Sequence, residues 1–131
     1  MSAAKQVVER WRREGVEMNA AAPLETLRRF EKAWGLALPA ALRELLSEAN
    51  GMPPAVTDVA LFRFWPVNEY EAEASIEGGV LFADFALWAH CYAFDVQERV
   101  WIVGGAEPLK VAPSLEEFLR RYGADPRSVA G

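Results

Sequence analysis

His90 and Cys91, with Asp84 just upstream, are the only neighbouring residues whose types fit a thiol nucleophile and its base. Their spacing argues against that chemistry. Leu87 to Phe94 alternates with the period of a β-strand, placing Trp88, His90, Tyr92 and Phe94 on one face and Ala89, Cys91 and Ala93 on the other. An imidazole and a sulfur on opposite faces cannot share a proton. They read instead as a half-buried histidine and a small core thiol. One His and one Cys are also too few nitrogen and sulfur ligands for zinc. No metal and no cofactor is expected.

The carboxylates give no catalytic pair. Glu69, Glu71, Glu73 and Glu77 lie in a stretch with nothing to bury them and shift a pKa, so they read as a solvated face. Asp84, between Phe82 and Phe85, is expected to cap a turn or accept an interior hydrogen bond. Gly78-Gly79 and Gly104-Gly105 lack the glycine spacing and the lysine of a phosphate-cradling loop, and read as turns. No catalytic residue is assigned, and the chain is not expected to be an enzyme. The aromatic residues carry the remaining functional question. Trp65 at a strand end, Tyr70 in the acidic stretch and Trp88 at a strand start are the ones placed to reach the surface. They would serve there as interface anchors or as rim residues of the core.

Charge sharpens that reading. Residues 51–100 hold eight acids against Arg63 and Arg99, whereas residues 1–50 net +1 and residues 101–131 net zero, so the whole charge of −5 comes from the middle of the chain. Phosphate contacts need clustered Lys and Arg, so nucleic acid is excluded as a partner. An acidic patch suits a basic protein partner or a solubilising surface. At 131 residues with 52% apolar residues, the chain has the length and composition of one folded domain, assigned to residues 1–131. Cys91 is the only cysteine, no stretch has the length of a membrane span, and the N-terminus lacks a secretory apolar run. The cytosol is the expected location, without membrane association. The sequence does not determine the oligomeric state.

The elements that must position these residues follow from periodicity. Lys5 to Glu14 reads as a short amphipathic helix within an N-terminal extension, residues 1–22. Leu24, Leu27, Phe30 and Trp34 make the stripe of a second helix closed by Gly35. Leu42, Leu45, Leu46 and Ala49 make that of a third, entered at Pro39 and closed by Asn50-Gly51. Strands are expected at Val59–Trp65, Val80–Ala83, Leu87–Phe94, Val100–Val103 and Leu109–Ala112, with a hairpin loop at Asp95–Arg99. Val67–Ile76 reads either as a short helix with Tyr70 inward or as an acidic loop. The small-residue face of Leu87–Phe94 is expected to receive a helix, leaving the bulky face for other cover or a partner. Ser114-Leu115-Glu116-Glu117 is a capping box opening a last helix with Leu115, Phe118, Leu119 and Tyr122 inward, a cap worth roughly 1 kcal/mol. Residues 124–131 are expected to fray.

From Leu24 to Tyr122 these pieces, in this order, resemble the SUKH superfamily, the Smi/Knr-type domain. The likeness rests on Leu36-Ala37-Leu38-Pro39 before the helix Leu42-Arg43-Glu44-Leu45-Leu46, and on Asn50-Gly51. It continues in LFRFWP with Glu69 beyond it, VLFADF, CYAFD and SLEEFLRRY. Phe82-Ala83-Asp84-Phe85 departs from the Phe-Gly-containing turn of many members. The resemblance implies an α+β fold, with N-terminal helices and a C-terminal helix packed on a curved, mixed sheet. For bacterial members it implies an immunity protein that neutralises a toxin, often a nuclease. For eukaryotic members it implies a regulatory interaction domain, and it supplies no catalytic residue. The expected partner is accordingly a protein, a basic toxin domain, meeting Trp65, Glu69, Tyr70, Glu71, Glu73, Glu77, Asp84 and Trp88. The alternative is an intracellular regulatory or scaffold domain without a toxin.

Overall fold

Each helix forms where an apolar stripe follows a residue that can start it. The computed structural model describes residues 1–131. Helix α1 (Ala3–Arg13) is capped by the Ser2 hydroxyl, which accepts from the Lys5 amide, and it buries Ala4, Val7, Val8 and Trp11. Helix α2 (Leu24–Trp34) follows Pro23 and ends at Gly35 in the left-handed conformation, φ 65°. Helix α3 (Ala40–Glu48) follows Pro39. Gly51 is irreplaceable on steric grounds. Its φ is 69°, and a Cβ there would lie 2.4 Å from the Trp65 carbonyl carbon. Asn50 joins the same crossing, its side-chain oxygen accepting from the Val67 amide at 2.9 Å.

Six strands follow: β1 (Phe62–Phe64), β2 (Glu71–Glu73), β3 (Gly79–Phe85), β4 (His90–Phe94), β5 (Val100–Val103) and β6 (Leu109–Ala112). Their order is β1-β3-β4-β5-β6, with β2 pairing β3 beyond β1. The α+β architecture is as expected, but every pairing is antiparallel where a mixed sheet was anticipated. Short connections join β2 to β3, β3 to β4, β4 to β5 and β5 to β6, and such hairpins can only give antiparallel pairs. Helix α4 (Leu115–Ala124) opens on Ser114, whose hydroxyl accepts from the Glu117 amide.

Four local expectations change. The first strand shortens to Phe62–Phe64 because the Asp58 carboxylate accepts from the Ala60 and Phe62 amides, bending the chain through Leu61 at φ 74°. Val67–Ile76 is neither helix nor loop throughout; a 3-10 turn at Val67–Glu69 leads into β2. The strand expected from Leu87 starts at His90. Ala86, Leu87 and Trp88 instead form a tight turn with φ of 54°, 55° and 73°, three consecutive side chains in the left-handed region. In residues 124–131, expected to fray, Pro126–Val129 makes a 3-10 turn, Val129 is buried and its carbonyl accepts from the Tyr92 hydroxyl at 2.6 Å.

The cover of the sheet is also reversed from expectation. Helices pack on the bulky face, where Phe62, Phe64, Phe82 and Tyr92 meet Phe118 and Tyr122 of α4. Stacking large side chains against α4 buries more apolar area than a face of alanines would. Helix α1 belongs to this core. The Trp11 indole N–H donates to the Tyr122 hydroxyl at 2.8 Å, and that hydroxyl donates to the Asp58 carboxylate. Arg10 further donates to the Gly123 and Ala124 carbonyls at the end of α4.

Candidate functional site

Strand register sorts the remaining side chains onto the face without helices. Residues opposite one another in an antiparallel pair share a face. Arg63, Asp84, Cys91 and Val103 form one row across β1, β3, β4 and β5. Glu71, Leu81, Ala93, Trp101 and Lys110 form the next, and Glu73 lies on the same side opposite Gly79. Leu81 and Asp84, three apart, reach one face only because a bulge between Leu81 and Ala83 adds a residue to β3. His90 pairs with Phe85 and Cys91 with Asp84, so imidazole and thiol do project to opposite faces.

This face is built around tryptophans and carboxylates. Asp84 is buried and accepts from the Trp65 indole N–H at 2.6 Å. Trp65 is itself covered by Trp88, ring centroids 4.9 Å apart, and Trp88 remains 57% exposed on the left-handed turn. At the other end, one Asp95 oxygen accepts from the Gln97 and Arg99 amides. The other oxygen accepts from the Arg99 guanidinium and the Trp101 indole. Burial pushes the Asp95 carboxyl up, but the bonds from Trp101, Arg99 and Gln97 outweigh it and the net pKa is lowered. Beside Trp101 lies a cleft of about 420 Å³ lined by Glu77, Asp95, Arg99 and Glu107. Burial drives the Cys91 thiol up to about 11, and Asp84, Glu73 and Glu71 push it the same way. A thiol so placed stays protonated near neutrality and is a poor nucleophile.

The residues singled out from the sequence divide into three groups. Glu71, Glu73, Asp84, Trp65 and Trp88 come together on the helix-free face, and Glu77 lines the cleft at its end. Trp65 and Tyr70, expected at the surface, are instead buried, at 2% and 6% exposure. Trp65 is shut in by Trp88, and Tyr70 packs edge-on against Phe30 of α2. Glu69 pairs with Arg63 at 2.9 Å, and Arg63 also donates to the Met52 and Pro53 carbonyls, so this carboxylate anchors a loop. Asp58, Asp84 and Asp95 are interior and Glu69 is taken up by Arg63, leaving Glu71, Glu73, Glu77 and Glu98 as the acids of the middle segment not held by a cation or buried.

The sequence model of the SMI1 / KNR4 family (SUKH-1) matches residues 21–121. The chain belongs to that family. A comparison with curated proteins finds no significant match. The SUKH-1 match begins after α1, so Trp11 and its bond to Tyr122 lie outside the matched residues while forming part of the same core. No helix of this SUKH-1 chain is long and apolar enough to cross a membrane. Sequence reasoning passed over Trp101, Glu107 and the interior Asp95. The hairpin Asp95–Arg99 contained the signal for Trp101, because it sets that residue opposite Ala93 and on the face of Cys91.

Proposed function

We propose that this SUKH-1 chain is an immunity-type binding module that neutralises a basic toxin domain by covering it with the helix-free face of its sheet. The observation that carries the reading is the convergence of Trp65, Trp88 and Trp101 with Glu71, Glu73 and Glu77 on one side of the molecule. Carboxylates there would steer association with a cationic surface, and the exposed Trp88 would set residence time. The half-buried, protonated Cys91 and the interior hydrogen bond of Asp84 support binding without catalysis. A free thiol agrees with action in the cytosol.

The test takes as candidate toxin the protein encoded beside this chain, its C-terminal domain purified and immobilised. The double variant Glu71→Lys/Glu73→Lys should slow association by about tenfold at low salt and flatten its salt dependence. Trp88→Ala should speed dissociation by a comparable factor with little change in the association rate. Unchanged kinetics in the double variant would remove this face from the interface.

A further inference from the structure

The outer edges of the sheet lie on β1, β2 and β6, and two of them are blunted from within. Along β1, the Phe62 and Phe64 carbonyls accept from the Asp58 and Met52 amides. On β6, the Arg121 guanidinium donates to the Val111 carbonyl at 2.9 Å. Such covers keep an edge from pairing with another chain. The edge at β2 has none: this strand pairs only with β3, and its residues are exposed or half-buried.

Hydrogen-bond direction shows which β2 groups point outward. The Asp95 amide donates to the Arg99 carbonyl within the β4–β5 hairpin. Phe94, one residue earlier, therefore turns its own amide and carbonyl toward β3, onto Val80. The Gly79 amide turns the opposite way, to the Ile76 carbonyl on the β2 side. With Val80 bonded to β4, Ala72 opposite it on β2 aims its N–H and C=O away from the sheet. Ala72 is exposed, so this donor and acceptor are solvated and open. They match one residue of an added strand.

The flanking side chains define that strand. Glu71 and Glu73 project to the helix-free face on either side of Ala72. One Glu73 oxygen accepts from the Ser75 amide and hydroxyl, and the other takes no hydrogen bond from the chain. In an antiparallel guest, the residues opposite Glu71 and Glu73 are two apart on one face, their Cβ atoms about 5 Å from those of the glutamates. Like charges at that separation repel, so β2 of a second copy is a poor guest. Lys or Arg at both places complements the pair.

We propose that β2 takes up an extended segment of the toxin as an added antiparallel strand, with basic side chains at alternate positions facing Glu71 and Glu73. The guest residue between them exchanges two backbone hydrogen bonds with Ala72. The backbone sets the register, and the carboxylates select the sequence. This deepens the toxin-binding reading and rests on it for the identity of the partner.

The test needs only the chain and a peptide, which separates it from the toxin kinetics. The probe is acetyl-Thr-Lys-Val-Lys-Thr-amide, titrated to about 20 mM into the ¹⁵N-labelled full chain at low salt. It is run beside its Glu-for-Lys counterpart and a version N-methylated at the valine. The basic peptide should shift the Glu71, Ala72 and Glu73 amides saturably, with half-saturation on the order of 5 mM, and slow exchange of the Ala72 amide hydrogen. N-methylation removes the donor to the Ala72 carbonyl and should weaken binding about fivefold or more. The Glu peptide should give no saturable shift. Ala72→Pro, tolerated where the N–H faces solvent, should abolish the response, and Ala72→Val should keep it. The N-methylated peptide makes the same test on the unaltered chain. No saturable shift from the basic peptide, equal binding of the N-methylated one, or an undiminished response in Ala72→Pro would each overturn strand addition. If any of these accompanies slowed toxin association in Glu71→Lys/Glu73→Lys, the sheet face stands as the interface and only the added strand falls.

Discussion

Trp65 supports Trp88: the buried indole, fixed by its N–H to Asp84 at 2.6 Å, carries the exposed ring at a centroid distance of 4.9 Å. A large exposed aromatic normally loses rotamer freedom when it binds. Here much of that freedom is already gone, because a buried hydrogen bond holds the platform. Asp84→Ala leaves the Trp65 N–H buried without an acceptor and should destabilise the chain by roughly 1–3 kcal/mol in urea unfolding. Asp84→Asn retains an acceptor oxygen and should lose less. Equal losses in the two variants would show that the hydrogen bond contributes nothing beyond the packing of the side chain.

The turn that presents Trp88 is itself strained. Ala86 lies at φ 54°, where a Cβ costs on the order of 1 kcal/mol and glycine is free of that cost. Ala86→Gly should therefore raise the urea midpoint slightly, since its amide bond to the Leu61 carbonyl does not involve the side chain. A lower midpoint would mean that the left-handed conformation stores no strain at this position.

Three distant segments meet at Tyr122. Its hydroxyl accepts from Trp11 and donates to Asp58, which in turn holds the Ala60 and Phe62 amides. Tyr122→Phe strips Trp11 of its acceptor and Asp58 of a donor, and should cost about 2–4 kcal/mol. Hydrogen exchange should locate the loss first in α1, whose hold on α4 depends on this contact and on Arg10. Uniform loosening of all elements, with α1 no faster than the rest, would count against the arrangement.

Asp95 predicts an acid limb of stability. Its folded pKa lies below the usual value of 3.8, so its stabilisation is fully present above that value and disappears as pH falls through it to the lowered folded value. Asp95→Asn should be less stable than the parent at about pH 6, and the gap should close as pH falls below about 4. A gap independent of pH would place the contribution of Asp95 in neutral hydrogen bonding alone.

Much of this architecture is readable from local signals, and the failures share a cause. Pro23, Pro39 and Ser114 mark the helix starts because the backbone groups they satisfy are local. The face of each strand is not local. The extra residue at Leu81–Ala83 breaks the alternation that would otherwise separate Leu81 from Asp84, and nothing in VLFADF announces it. Burial of Trp65 and Tyr70 is equally distant in origin, since Trp88 and Phe30 cover them across the fold. Glu69 reads from the sequence as part of a solvated run, and only the fold sets Arg63 beside it. The candidate face was thus half legible: its acids could be counted, but the interior ones could not be told from those facing solvent.

The left-handed run Ala86–Trp88 sets backbone ease against the display of large side chains. Selection for stability alone would favour glycine along this turn, relaxing the backbone while removing Leu87 or the ring of Trp88 from the surface. Under the proposed binding role, relatives released from recognition would drift toward glycine at this tip, and relatives that still bind a partner through it would keep the strain.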